Sequence, residues 1–410
     1  MNFTNTNFSL DDNETAYIST DNENDDKSEI LFEFITNGVL LNLVGILGIM
    51  GNIISMVILS RPQMRSSINY LLTGLARSDT VLIITSILIF GLPALFKYTN
   101  SQLLFSYYYR VYPFLAPVVY PLAVIAQTVS VYLTLTVTLE RFVAVCHPLQ
   151  ARSLCTYGRA RLYVLLIIIF SILYNLSRFW EVKLEQEYLV QYNVTVYIPL
   201  PSSLRSNQIY ISVYIHWLYL LFIYFLPFSC LAVLNAAIYR QVRKANQERQ
   251  RLSRLQKKEI GLATMLLCVV VVFFICNILA LVSNVLEAFY GILLTKMVKT
   301  SNLLVTINSS VNFIIYVIYG EKFKRLFLKL FCSHSPRICD GGVRESPDCA
   351  TLHEDSVMLS NGDARHSVRG NRANESVKRA ARALPCVYYP ARHNSKWNQD
   401  DTTTTTLNQI

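Results

Sequence analysis

The chain has 410 residues, 52% of them hydrophobic and only 16% charged. That is too apolar and too poor in charge for an ordinary soluble domain, which excludes most soluble enzymes and binding modules and points to a membrane protein. A formal charge of +10 could suit nucleic acid, but the charge is sorted by segment along the chain, which is a signature of topology instead.

The first 35 residues carry Asp11, Asp12, Glu14, Asp21, Glu23, Asp25, Asp26, Glu29 and Glu33 against Lys27 alone, with sequons at Asn2, Asn7 and Asn13. An acidic, glycosylated outer segment is expected here. It has no apolar stretch followed by a small-residue cleavage site, so the first span is expected to act as its own insertion signal. Seven apolar runs follow, at 36–60, 68–94, 112–144, 160–180, 210–239, 259–288 and 297–320. Each is about the length a helix needs to cross the hydrocarbon core. They are too long and too uniformly apolar for barrel strands, so the expected fold is all-α, a seven-transmembrane-helix bundle. Arg61 and Arg65, then Arg152, Arg159 and Arg161, then Arg240, Arg243, Lys244, Arg249, Arg251, Arg254, Lys257 and Lys258 fill alternate loops. Short basic loops stay in the cytoplasm, so the N-terminus is expected outside and the C-terminus inside a plasma-membrane protein. Asn193 is a fourth sequon on the outer side.

After the seventh run, Phe323, Leu326, Phe327 and Leu330 recur at helical spacing against Lys322, Lys324, Arg325 and Lys329. That pattern predicts an amphipathic helix on the inner leaflet over 321–332, with Cys332 as a candidate palmitoylation site. From 333 to 410 the chain is polar and is expected to be a disordered cytoplasmic tail, whose Ser and Thr residues would serve receptor kinases and arrestin. All nine cysteines fall within spans or on the inner side, so no outer disulfide is expected, although the oxidising side is where such bridges persist. Only His216 of the six histidines lies near a membrane pocket, too few for a zinc site, and neither a metal nor enzyme chemistry is expected.

Ionisable groups inside spans are costly and therefore informative. Asp79 lies deep in the second run, where a carboxylate needs polar partners, a cation or a proton. Asn52, Ser130, Asn308, Ser309 and Asn312 are the candidate partners, and Asn308 and Asn312 share a helix face. The set reads as a cation-binding polar core, with a purely structural polar knot between helices as the alternative. At the inner end of the third run stand Glu140, Arg141 and Phe142; Glu259, at the inner start of the sixth, is a candidate partner for Arg141 across the bundle.

Gly51-Asn52, Leu75-Ala76-Arg77-Ser78-Asp79, Glu140-Arg141-Phe142, Pro227 and the stretch Asn312 to Tyr316, in that order within seven spans, resemble the rhodopsin-like G-protein-coupled receptors over about 36–331. Within that class the chain is most similar to insect FMRFamide receptors, through Thr134 to Phe142, Glu248 to Arg254, Glu259 to Met265, Asn308 to Arg325 and Val387 to Arg392. The resemblance implies that Arg141 contacts a heterotrimeric G protein, that Asp79 belongs to a pocket for an allosteric sodium ion, and that Tyr316 moves inward on activation. Departures are as clear. Ala116 stands where the class has a cysteine, Asn277 replaces a tryptophan, Leu279 and Phe313 replace prolines in the sixth and seventh spans, and Asn235 takes the place of a tyrosine that often pairs with Tyr316. Without those prolines, kinks must arise elsewhere or be smaller.

Ala123 stands where receptors of amines carry an aspartate, and Thr306 where opsins carry a lysine, which argues against both ligand classes. An amidated peptide ending in Arg-Phe would need an anion for its guanidinium. Glu287 is the first choice, ahead of Glu181, Glu185 and Glu187, with Tyr112, Tyr120, Gln127, His216, Trp217 and Tyr290 as candidate pocket residues. For Trp217 and Tyr290 a lipid-headgroup anchor is the alternative, and for Glu287 a solvated helix-end carboxylate. A receptor for another peptide and a ligand-independent receptor remain alternatives. A transporter is disfavoured because no internal repeat is visible.

Overall fold

The computed structural model describes residues 27–190, 193–247, 254–292 and 294–331. Seven of its helices are long and apolar enough to cross a membrane: Lys27–Leu59, Ser67–Thr99, Gln102–Cys146, Tyr157–Trp180, Tyr210–Lys244, Ala263–Tyr290 and Thr295–Tyr319. The described part of the first helix runs from Lys27 and the third starts at Gln102, about ten residues before their apolar runs, because helix continues past the hydrocarbon boundary on polar and tyrosine-rich sequence. A short helix, Pro148–Leu154, links the third and fourth spans, and Glu321–Phe331 closes the described chain as a helix with Phe323 buried.

The first span shows how residue size sets the packing. Gly45, Gly48 and Gly51 are buried, while Leu43, Ile46, Leu47 and Met50 on the opposite face are exposed, as a lipid-facing surface requires. A Cβ on Gly48 would lie 2.1 Å from Ser310 Oγ, and one on Gly51 2.9 Å from Phe313 Cβ. The seventh span therefore approaches the first at a distance only glycine allows.

Departures from regular α-helix lie in the first, second, third and fifth spans. Wide π-helical turns occupy Phe34–Leu41, Ile87–Gly91, Tyr107–Val111, Tyr210–Leu218 and Leu220–Phe225. Three of these end one residue before the pair Leu92-Pro93, Tyr112-Pro113 or Leu226-Pro227. A proline cannot donate to the carbonyl four residues back and its ring clashes with it, so the helix widens over that turn. Neighbouring tyrosines take carbonyls in two of the widened turns: Tyr107 donates to Leu88 O at 2.7 Å and Tyr132 to Phe222 O at 3.0 Å. The sixth and seventh spans, which lack the usual prolines, are unbroken α-helix over Arg254–Tyr290 and Thr295–Tyr319.

Between the fourth and fifth spans lies an antiparallel hairpin, β1 (Val182–Leu189) and β2 (Val194–Pro201), paired from Val182↔Pro201 to Leu189↔Val194. Val194-Thr195-Val196-Tyr197-Ile198 carries the β-branched and aromatic signal for a strand. Both strands touch the third span, where the Phe114 and Tyr197 rings sit 5.2 Å apart. Asn2, Asn7, Asn13, Cys332 and the tail lie outside the described residues.

Candidate functional site

Three groups of polar residues are set into the apolar bundle. The middle one is built on Asp79, which is fully buried. Ser130 in the third span donates to Asp79 Oδ1 at 2.7 Å and Asn312 in the seventh to Oδ2 at 2.8 Å. Asn52 Nδ2 donates to the Ser309 carbonyl at 3.0 Å, tying the first span to the seventh. The Ser309 hydroxyl also lies against the Asp79 carboxylate, and Asn52 Oδ1 is a buried oxygen without a hydrogen-bond partner among the described residues. Asn308, expected in the same set, is half-buried and makes no hydrogen bond to the carboxylate. Asn312 lies one turn along the same helix from Asn308, level with the carboxylate, and of the two it alone reaches Asp79.

The second group lies at the end of the bundle that carries Pro148–Leu154 and Glu321–Phe331. Glu140 and Arg141 are both buried and 3.3 Å apart. Ser67, at the start of the second span, donates to Glu140 Oε1 at 2.6 Å, and the Cys155 thiol reaches the Glu140 carbonyl at 3.8 Å. Glu140 is thus a clamp between third span, second span and connecting loop, and Arg141 is held against it. Phe142 packs against the Ile238, Val242 and Ala263 cluster of the fifth and sixth spans. Tyr316 is buried among Met265, Leu266 and neighbours, with its ring 5.7 Å from Phe323. The Glu259 side chain, the proposed partner of Arg141, lies outside the described residues. Asn235 and Asn277, which replace larger class residues, turn back on their own helices, donating to Leu231 O at 2.7 Å and Phe273 O at 2.8 Å.

At the hairpin end, His216 Nε2 of the fifth span lies 3.8 Å from Glu287 Oε1 of the sixth. Gln127 Oε1 accepts from Tyr219 at 3.4 Å, and Tyr120 accepts from Arg178 at 3.1 Å. Trp217 and Tyr290 are exposed, Trp217 edge-on to Phe289 at 5.1 Å; they stand apart from these contacts. Glu185 pairs with Lys183 and Glu187 is exposed on β1. The residue that sequence reasoning missed is Arg178, buried under the faces of Tyr214 and Tyr219 at 5.3 and 5.2 Å and 3.5 Å from Glu181. A basic residue at the end of an apolar run reads as an interfacial anchor, and only the aromatic spacing of Tyr210, Tyr214 and Tyr219 hinted at a buried partner surface.

A seven-helix bundle with a buried carboxylate at its middle, an acid-arginine pair at one end and a polar, aromatic cluster at the other defines a membrane receptor. Residues 51–316 match the model of the seven-transmembrane receptor (rhodopsin family), and the chain belongs to that family as a multi-pass membrane receptor. It is similar to the FMRFamide receptor of Drosophila melanogaster, 57% identical over 350 residues, 85% of this chain and 62% of that one. It is also similar to the FMRFamide peptide receptor frpr-18 of Caenorhabditis elegans, 35% identical over 293 residues, 69% of this chain and 66% of that one. The chain therefore spans somewhat less than two thirds of the length of either relative.

Proposed function

We propose that this chain is a cell-surface receptor for Arg-Phe-amide peptides, with the hairpin end and N-terminus outside and the Arg141 end facing heterotrimeric G proteins. The 57% identity to the fruit-fly FMRFamide receptor carries the reading. The charges of the hairpin end support it. Glu33 is already held by Lys97 and Lys299, each at 3.0 Å, and Glu181 by Arg178, whereas among the described residues Glu287 has an imidazole at 3.8 Å as its one ionic neighbour. Glu287 is a bundle carboxylate open to a peptide guanidinium, which demands an anionic partner on desolvation. Binding favours one of two helix arrangements, and the signal is the resulting population shift. Phosphorylation of the tail would recruit arrestin, and Asn193, exposed in the hairpin turn, is a glycan acceptor with Asn2, Asn7 and Asn13; Cys332 carries a palmitoyl anchor.

The polar core belongs to the same proposal as a sodium pocket. Asp79, the Ser130 and Ser309 hydroxyls beside it and the buried, partnerless Asn52 Oδ1 are hard donors that suit such an ion. Bound there, it supplies the positive charge that a carboxylate out of reach of solvent calls for. Asp79 and Asn312 then hold the second and seventh spans in register.

Calcium and cyclic AMP output from cells expressing this chain, challenged with a panel of amidated peptides, tests the ligand class. Arg-Phe-amides should activate, and Glu287→Gln at matched surface expression should lower their potency about tenfold or more. Silence toward every Arg-Phe-amide, with another peptide active, overturns the ligand reading.

A further inference from the structure

The hairpin end contains an ion pair buried more deeply than any ligand-facing acid there: Arg178 is 4% exposed and Glu181 2%. A desolvated pair is a poor source of stability by itself, so its use lies in what its partners connect. Arg178, at the end of the fourth span, donates to Tyr120 of the third and lies over Tyr214 and Tyr219 of the fifth. Glu181 accepts from Tyr210 of the fifth span at 2.7 Å and lies 3.9 Å from Arg205 in the linker that follows β2. The two feet of the hairpin meet at the same point. Ser202 N donates to the Glu181 carbonyl at 2.8 Å and Ser202 Oγ to the Trp180 carbonyl at 2.6 Å, directly beneath the first rung, Val182↔Pro201. No cysteine occurs between Cys155 and Cys230, so no disulfide can tether this hairpin.

We propose that Arg178 and Glu181 are positioning residues for ligand recognition: their pair, with Tyr210 as its hydroxyl donor, fixes the hairpin to the third, fourth and fifth spans in place of a covalent tie. A ligand then meets a loop already set in its bound position, and less ordering opposes binding. The signalling half of the test rests on the peptide reading; the structural half does not.

Hydrogen–deuterium exchange on the full-length chain in detergent, without ligand, reads the tie directly. Glu181→Gln and Arg178→Gln should each speed exchange of the hairpin amides, 182–189 and 194–201, by about tenfold or more, with the seventh span unchanged. The double variant should be less perturbed than the two effects multiplied, because it leaves no orphan charge. A reducing agent should leave the unmutated hairpin as protected as before. Tyr210→Phe, which keeps both charges, should raise the same exchange several-fold and serves if the charge variants do not fold. Hairpin exchange within about twofold of the unmutated chain in every folded variant overturns the proposal, as does loosening by reductant. In cells, the same variants should raise the peptide concentration for half-maximal response while the maximal response persists at matched surface level. Silence of the unmutated chain toward all Arg-Phe-amides would sink the ligand reading and leave the exchange result standing.

Discussion

Asp79 has two firm hydrogen bonds, from Ser130 and Asn312, with the Ser309 hydroxyl beside it and a partnerless Asn52 Oδ1 in the same set, so its environment is polar but not closed. Asp79→Asn keeps the shape and removes the charge. If the set holds sodium, replacing external sodium with choline should raise agonist affinity about fivefold or more in the unmutated receptor and leave Asp79→Asn unmoved. Radioligand competition in the two media measures this, and equal sodium sensitivity in both proteins would reduce the set to a structural knot. The core was legible in the sequence because a carboxylate in an apolar run must find partners, and few polar residues were available. Arg178 and Glu181 were not legible. They lie three residues apart at a span end, where charges ordinarily snorkel, and their burial depends on fifth-span tyrosines about thirty to forty residues away in the chain.

Helices, unlike their polar contents, announce themselves through the length of apolar runs, and all seven spans were foreseen. What runs of hydropathy do not carry is shape. The widened turns before Pro93, Pro113 and Pro227 depend on single residues, and the hairpin on a short β-branched stretch in a connection otherwise read only for its acids. Two variants probe these shape devices. Gly48→Ala would place a methyl 2.6 Å from Ser310 Cβ as well as 2.1 Å from its Oγ, so the first and seventh spans must separate. Overpacking of this kind costs about 1–3 kcal/mol; thermal unfolding of the purified receptor should shift down by several degrees, and Ser310→Gly in the same chain should restore it. Tyr132→Phe deprives the Phe222 carbonyl of its donor inside a widened turn, at a cost of about 1–3 kcal/mol for a buried unsatisfied group. The melt should fall correspondingly; an unchanged melting temperature would mean that the widened turn satisfies its own carbonyl.

Charge sorting orients the whole bundle. Arg61 and Arg65, the basic cluster at Arg152, Arg159 and Arg161, and Arg240, Arg243 and Lys244 at the end of the fifth span all fall at the end that holds Glu140, Arg141 and Glu321–Phe331, whereas the hairpin with Asn193 lies at the other. Retention of short basic loops then puts the Arg141 end in the cytoplasm. An epitope fused to the N-terminus should be stained on intact cells, and one fused to the C-terminus only after permeabilisation. Glycosidase treatment should increase gel mobility, and Asn193→Gln should remove part of that shift, since Asn193 is exposed at the left-handed turn of the hairpin (φ 51°), where its Oδ1 accepts from Tyr188 and its Nδ2 is the atom a glycan would take. Staining of both tags without permeabilisation would break the charge argument. Staining of the C-terminal tag alone would invert it, placing Glu287 and the hairpin inside and separating them from any extracellular peptide.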